Sequence, residues 1–243
     1  MGGVRTVLGG VVRTPHSAAP WLSNPRRFGR RSCVRRARRA LSAACSERYP
    51  RRNRDPPPPR RTVDRETASE FFTTAPQWFG RPERTLFASV AERIHGGEEL
   101  LFKGGPAHVT ASCVVFDPER TRVLLAFHRK GRFWVQFGGH LEPGDDDMAA
   151  AAAREVTEES GLESFRMLST DAIDLQAQQL GERFGGCDIH LDLLFAAEAP
   201  RDAVPSASDE SDAVEWFDLD ALPTDAVPGL SKRLRTARER LAA

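Results

Sequence analysis

The periodicity of hydrophobic positions changes at about residue 65 of the 243-residue chain. Before that point, apolar residues recur with neither the period of a helix nor that of a strand. Soon after it, in PERTLFASVAERI (82–94), Leu86, Val90 and Ile94 recur every four residues. This spacing predicts an amphipathic helix, which a pair of glycines ends. The folded part of the chain is therefore expected to follow residue 65.

Apolar and β-branched runs separated by turn residues predict a sheet. Between residues 108 and 139 the runs VTASCVVF, VLLAFH and FWVQF are separated by the turn sequences DPERTR and RKGR. Further strands are predicted at 167–176, 187–197 and 212–217, and a terminal helix at 228–242. Strands followed by a helix, more strands and a final helix indicate an α/β fold, in which helices cover the faces of a mixed sheet.

The first 65 residues have a composition unlike that of the rest. They contain 17 Arg, no Lys and three acidic residues, a balance of +14, whereas the remaining residues have a balance of −13. This segment, with four consecutive prolines at Pro56–Pro59, cannot bury enough apolar surface to fold and is predicted to be disordered. A nucleic-acid-binding arm, a transit peptide and an extension from a start codon placed too far upstream are the alternatives. We favour a non-functional or mis-called extension, since neither a regular interleaving of aromatic residues nor a folded basic module supports nucleic-acid binding.

Cysteine spacing and hydropathy indicate the cellular compartment of the protein. Four cysteines lie far apart without a CxxC pair, which favours buried free thiols in a reducing cytosol. No stretch approaches the ~18–20 apolar residues that cross a bilayer. The sequence therefore predicts a soluble, cytoplasmic protein.

An alanine-rich segment, MAAAAAREVTEES (148–160), combines helix formers with clustered acids. One of Asp145–Asp147 can cap its first turn, and the following glycine is a typical helix stop. Glu155, Glu158 and Glu159 stand at i, i+3 and i+4, so they project from one face with Cβ atoms ~5–6 Å apart. A solvated acidic patch is one interpretation. The other is a site for Mg²⁺ or Mn²⁺, ions that prefer oxygen ligands and would relieve the repulsion.

Residues 139–162 resemble the signature of the Nudix hydrolase family, G-x5-E-x7-R-E-U-x-E-E-x-G-U, where U is aliphatic. Gly139 matches the first glycine, and 154–162 match the second half without a gap. The loop differs, because an aspartate replaces the family's glutamate and one residue is added. Asp145 matches by its place after Pro-Gly, with Asp146 as the alternative. The resemblance extends over roughly residues 105–225 and implies an α/β/α sandwich.

The resemblance also implies a chemistry. Members of the family cleave a nucleoside diphosphate linked to another moiety, by attack of water on phosphorus. Their pattern makes Glu155, Glu158, Glu159 and the carbonyl of Gly139 the ligands of Mg²⁺ or Mn²⁺, and Arg154 the residue that orients the glutamates. The general base would be Glu158, Glu159 or an acid of the later loop; the candidates there are Asp209, Glu210 and Asp212.

Four further residues are candidates for binding substrate. His140 follows the Gly pair, where it could reach a phosphate or simply lie in a turn. Trp134, for stacking on a base, and Gln136 share one face of FWVQF, although strand aromatics more often belong to the core. His190 alternates with Asp192 along the strand, where a satisfied polar pair is equally expected. The basic turn 128–130 could meet phosphates or form a solvated hairpin tip.

These predictions define three segments: a disordered extension (1–65), a helical lead-in (66–104) and a Nudix hydrolase domain (105–243). The expected partners are a nucleoside diphosphate derivative and, in a homodimer, a second copy of the chain. Nucleic acid and membranes are not expected. The alternative function is a Nudix-fold sensor that binds a nucleotide without cleaving it. A third hypothesis, isomerisation of an isoprenoid diphosphate, would need Cys113 in the cleft.

Overall fold

The computed structural model describes residues 62–180 and 188–242. These residues form four helices and eight strands. The helices are α1 (Arg65–Phe71), α2 (Arg81–His95), α3 (Met148–Ser160) and α4 (Leu230–Arg240). The strands are β1 (Ala107–Phe116), β2 (Arg122–His128), β3 (Phe133–Val135), β4 (Phe137–His140), β5 (Arg166–Met167), β6 (Asp174–Gln179), β7 (Ile189–Glu198) and β8 (Ser211–Asp218).

Strand β1 is the centre of a mixed sheet. It has no exposed residue, as expected for a strand covered on both faces. One edge pairs in parallel with β7 over the whole strand. The other edge pairs antiparallel with β4 along the middle of β1 and with β2 at its end. Strands β3 and β8 extend the sheet from β2, and β5 and β6 extend it from β7.

Alternate residues of β1 enter two hydrophobic clusters on opposite faces of the sheet. Ala111 and Cys113 pack with residues of α1, α2 and α3. Val114 and Phe116 pack with Leu230 and other residues of α4. The structure is therefore an α/β/α sandwich around a mixed sheet, which confirms the predicted fold class.

The alanine run of α3 lies against the sheet. Asp147 caps the helix by accepting a hydrogen bond from the Ala150 amide at 2.7 Å. Gly161 ends it in the left-handed conformation at φ 61°, which glycine adopts at little cost. Ala151 and Ala152 are completely buried, and their small size lets the helix axis lie close to β1 and β4. Glu155 and Glu159 follow on the same side of the helix, one and two turns further along, and reach β4 at Gly139 and Gly138.

Two predicted strands are wrong in extent. FWVQF is two strands, because β3 pairs with β2 whereas β4 pairs with β1, and the chain changes partner at Gln136. The segment 167–176 is also two strands, β5 and β6. Between them the Ser169 hydroxyl accepts a hydrogen bond from the Asp171 amide, so the polar stretch turns and leaves the sheet.

The folded chain begins before the predicted boundary at residue 65. Residues 1–61 lie outside the described residues, as does most of the segment predicted to be disordered. Val63, however, is only 3% exposed, and its amide donates to the Asp145 carbonyl at 2.7 Å. Asp64 caps α1, a helix that the sequence pattern did not indicate. Any shortened chain should therefore retain residue 62 onwards.

Of the four cysteines, Cys33, Cys45 and Cys187 lie outside the described residues, and Cys113 is a buried free thiol. Within residues 62–180 and 188–242, each helix is too short or too polar to cross a membrane.

Candidate active site

Arg154 organises the loop between β4 and α3. Its Nε and Nη2 donate to the two carboxylate oxygens of Asp145 at 2.9 and 3.2 Å, and Nη2 also donates to the His140 carbonyl at 2.8 Å. Asp145 is 5% exposed and accepts a further bond from the Glu142 amide, whereas Asp146 is exposed. Asp145 is therefore the acid that supports the loop, and its hydrogen bonds raise the pKa of the Arg154 guanidinium.

The same guanidinium holds two of the α3 glutamates. Arg154 Nη1 donates to Glu155 at 2.8 Å and to Glu158 at 3.0 Å. Glu155 lies against the backbone of Gly139, so closely that a Cβ on that residue would stand 2.5 Å from a carboxylate oxygen. A side chain at 139 would therefore displace the Glu155 carboxylate. Glu158 is 56% exposed, and its carboxylate faces solvent.

Glu159 is the buried acid of the site. It is 9% exposed and accepts one hydrogen bond, from the Gly138 amide at 3.1 Å. Burial, reinforced by the charge of Glu155, raises its pKa to about 8. Burial raises the pKa of Glu155 as well. A nearby cation would favour the charged form of both groups.

The donor set fits Mg²⁺ or Mn²⁺. Carboxylate and carbonyl oxygens suit these hard ions, and Mg²⁺ needs only one or two carboxylates because it retains several waters. Glu159 is a buried carboxylate that accepts its hydrogen bond from a neutral amide, and Glu155 packs on the Gly139 backbone; these are the groups that such a cation would stabilise.

Two adjoining cavities meet beside these residues. The smaller, of about 380 Å³, is acidic, and we call it the acidic cleft; it is lined by Arg154, the three glutamates and the segment 208–210. The larger, of about 420 Å³, lies over the sheet. Both are lined by Gly138, Gly139 and Glu159. A ligand at this junction could reach both cavities.

The floor of the larger cavity is a buried polar network centred on Asp192. Its carboxylate accepts hydrogen bonds from Thr110 at 2.9 Å and from Ser112 at 2.7 Å. Arg233, from α4, donates to Asp192 at 2.6 Å and to Asp174 at 2.7 Å. The two carboxylates and the guanidinium are each less than 10% exposed. These bonds fix the Asp192 carboxylate in the floor of the larger cavity.

A model of the NUDIX domain matches residues 106–237, more than half of the chain. The chain belongs to the NUDIX family. No curated protein matches it. The match includes all of β1 to β8 and most of α4.

Solved structures resemble this NUDIX chain in fold. An Ap4A hydrolase from C. elegans is 21% identical and aligns over 55% of this chain and 97% of its own, with a TM-score of 0.47. The E. coli dihydroneopterin triphosphate pyrophosphohydrolase is 18% identical over 60% of this chain and 100% of its own, with a TM-score of 0.46. A NUDIX hydrolase from Clostridium perfringens is 22% identical over 56% and 96%, with a TM-score of 0.43.

The four residues predicted to bind substrate lie in different environments. Gln136 and His190 line the larger cavity, and His140 lines the acidic cleft. Trp134 lines neither cavity. Its ring packs against Phe127 and Phe217, with centroid distances of 5.3 and 4.7 Å, in the hydrophobic cluster under α4. Trp134 and Gln136 both lie on the α4 side of the sheet, as predicted, but only Gln136 lines the cavity there. We therefore remove Trp134 from the candidates.

The acids of the later loop, which are candidates for the general base, lie in different surroundings. Asp209 and Glu210 line the acidic cleft of this NUDIX site. Asp212 instead forms ion pairs with Arg129 at 2.7 Å and with Arg132 at 2.6 Å, which lowers its pKa. Asp212 therefore fastens the basic turn to β8, and we remove it from the candidate bases.

The isomerase hypothesis is contradicted by the position of Cys113. The thiol is completely buried in the cluster that faces α1, α2 and α3, which is the side of the sheet opposite the larger cavity. Burial raises its pKa, so it is an un-ionised core side chain.

Sequence reasoning missed Thr110, Ser112, Gln178 and Arg233, which line the larger cavity. A usable signal exists in AHVTASCVVF, where polar residues occupy alternate positions and so share one face of β1. Arg233 carried no such signal, because it stands in a helix rich in arginine.

The raised pKa of Glu159 predicts how stability depends on pH without metal. Between the usual carboxyl value of 4.5 and about 8, the unfolded chain has lost this proton and the folded chain retains it. Raising the pH from 7 to 8 should therefore lower the free energy of unfolding by about 1 kcal/mol. Four histidines with lowered pKa values, that of His108 to about 4, oppose this slope near pH 7, because the unfolded chain still binds part of their protons there. The Glu159 contribution is therefore the difference between the wild type and Glu159→Gln.

Urea unfolding in EDTA at pH 7.0, 7.5 and 8.0 measures this slope. Adding Mg²⁺ should reduce it, since the ion binds the ionised carboxylate. Glu159→Gln should abolish it, and a slope that persists in that variant would assign the effect to another group.

Proposed function

We propose that this NUDIX protein is a hydrolase that requires Mg²⁺ or Mn²⁺ and cleaves a nucleoside diphosphate linked to another moiety, by attack of water on phosphorus. Family membership supports hydrolysis of pyrophosphate bonds in general. The observation that carries the more specific proposal is the junction of the two cavities at Gly138, Gly139 and Glu159. A diphosphate at the junction lies over the glutamates while an organic group fills the cavity beside it.

Each side chain of the acidic cleft has a proposed task. Glu155, Glu158, Glu159 and the carbonyl of Gly139 hold the metal ion. When bound, Mg²⁺ or Mn²⁺ supplies charge that neutralises the diphosphate and lowers the pKa of a bound water. Arg154 orients the glutamates through the bonds already described.

The proton acceptor is drawn from the acids that line the acidic cleft. Glu158 is our first choice, because its exposed carboxylate is accessible to water and its position is fixed by Arg154. Glu210 faces it from the segment before β8 and is the alternative.

The larger cavity suits the organic part of the substrate. Its lining includes Gln136, Gln178 and His190 beside apolar groups such as Phe133 and Leu230. Such a mixture of a few polar groups on an apolar lining is typical of pockets for small molecules.

A nucleotide sensor is the second candidate. Its support is the contact of Arg154 Nη1 with both Glu155 and Glu158, since this cation offsets part of the acidic charge without a metal ion. A sensor would bind a nucleotide and release it unchanged.

The two candidates are separated by assaying the full chain. Purified protein is incubated with ADP-ribose, dinucleoside polyphosphates, nucleotide sugars, oxidised nucleotides and capped RNA, in Mg²⁺, in Mn²⁺ and in EDTA. We expect cleavage of at least one compound with metal and none in EDTA. Glu158→Gln/Glu159→Gln should abolish cleavage, whereas Glu163→Gln, a matched change of an exposed acid outside the cleft, should not.

Cleavage that survives in the double variant or in EDTA would contradict the metal mechanism. Tight binding of one compound without cleavage under all conditions would establish the sensor. A homodimer and a cytoplasmic location stay predictions.

A further inference from the structure

Three histidines from three neighbouring strands converge on one face of the sheet. His108 of β1 pairs in register with His190 of β7, and His140 of β4 pairs with Thr110, two residues along β1. Residues opposite each other in a ladder, and residues two apart, point to the same face. The ring centroids are 4.8 Å apart for His108–His140, 4.8 Å for His108–His190 and 5.3 Å for His140–His190.

Buried nitrogens of this cluster have no hydrogen-bond partner among the described residues. His108 is completely buried, and neither of its ring nitrogens is bonded. The Nε2 atoms of His140 and His190 are buried and unbonded as well. Leaving such a group unpaired costs roughly 1–3 kcal/mol. Three imidazoles with unpaired nitrogens at one point indicate that something binds between them.

We propose that His108, His140 and His190 together bind one transition-metal ion of the Zn²⁺ class. One nitrogen from each ring lies within 4.8 Å of the others, and in residues 62–180 and 188–242 no other set of three His, Cys, Asp or Glu side chains has this arrangement. Imidazole is a preferred ligand of Zn²⁺ and of its neighbours in the first transition row, whereas Mg²⁺ prefers oxygen. The ligand chemistry thus distinguishes this site from the acidic cleft.

The rings need a modest adjustment to bind the ion. Tetrahedral zinc, with Zn–N bonds of about 2.0–2.1 Å, sets its nitrogens about 3.3 Å apart. The rings must therefore close by about 1–1.5 Å, and rotation about their side-chain torsions allows this. Three imidazoles leave a fourth position for water. Lys103 is the nearby charge that opposes a cation, and it is exposed, so solvent screens it.

The ion would connect the proposed zinc site to the hydrolytic site. It would join β4, β1 and β7, and His140 directly follows Gly139 in β4. The carbonyl of His140 accepts the hydrogen bond from Arg154. Binding at the histidines would consequently fix the backbone that carries Gly139. This proposal does not depend on the hydrolytic function, because metal binding is measured without a substrate.

The test is a metal titration of the full chain after removal of metals with a chelator. Zn²⁺ binding is followed by calorimetry and by thermal unfolding, and Co²⁺ binding by visible absorption. We expect one equivalent per chain, a tetrahedral Co²⁺ spectrum without thiolate charge transfer, and a rise in Tm with Zn²⁺. His108→Gln, His140→Gln and His190→Gln should each weaken binding by about 100-fold or more.

Matched controls define the site. His95→Gln changes an exposed histidine at the end of α2 and should bind Zn²⁺ as the wild type does. Glu158→Gln/Glu159→Gln should also retain it, which separates this site from the acidic cleft. His190 is only partly buried, so His190→Gln serves if His108→Gln fails to fold.

Absence of stoichiometric binding would overturn the proposal. Binding that persists in His140→Gln and His190→Gln would do the same, as would a thiolate spectrum, which would place the ion on the cysteines.

Discussion

Glu159→Gln is expected to lower turnover by about three orders of magnitude while stabilising the metal-free chain at pH 8. The change removes a proposed metal ligand, and a loss of roughly 4 kcal/mol of transition-state stabilisation corresponds to about 10³ in rate. It also removes a buried carboxylate whose pKa burial raises to about 8, so the folded state no longer carries the cost of ionising it. The gain in the free energy of unfolding should be about 2–4 kcal/mol at pH 8.

Turnover is expected to fall and stability to rise, so two measurements test the prediction independently. Turnover is measured with saturating Mg²⁺ on whichever compound the wild type cleaves, and stability by urea unfolding in EDTA. Glu163→Gln, an exposed acid just beyond α3, should change neither quantity appreciably. A Glu159→Gln variant that is less stable at pH 8 would show that the carboxylate has a cationic partner in the folded chain. A variant with wild-type turnover would remove Glu159 from the metal site.

Those parts of the site that depend on local spacing could be predicted from the sequence. The i, i+3, i+4 spacing of the glutamates and the glycine stop needed only helical geometry, and α3 has the predicted bounds, Met148–Ser160. Identifying the acid of the loop required the three-dimensional structure as well. Spacing left Asp145 and Asp146 as alternatives, and only the fold shows that Asp145 points inward to Arg154 while Asp146 is exposed.

Features that depend on which strands are neighbours could not be predicted. Trp134 is placed in the core by Phe127 of β2 and Phe217 of β8, and local alternation carries no information on strand partners. The histidine cluster similarly depends on β1 lying between β4 and β7. Each histidine alone is an ordinary strand residue, and only the register of two ladders brings the three together.

Arg233→Met should be the most destabilising single change outside the acidic cleft. Arg233 appears in the sequence as one of several arginines of a solvated helix, yet it is 5% exposed and lies between Asp174 and Asp192. Burial alone would lower the pKa of Arg233, but the charges of the two carboxylates outweigh burial, and the pKa is raised. Removing the cation leaves two buried carboxylates without their counter-charge, which costs about 3–5 kcal/mol of unfolding free energy.

The loss should be specific to Arg233 and partly reversible, because unpaired carboxylates cause it. Arg235→Met changes an arginine of the same helix whose ion pair with Asp220 is exposed, and it should cost less than about 1 kcal/mol. Adding Asp192→Asn to Arg233→Met removes one of the unpaired charges while retaining an oxygen for Thr110 and Ser112, so part of the stability should return. A deficit that is equal in the single and double variants would instead assign the loss to packing of the arginine side chain.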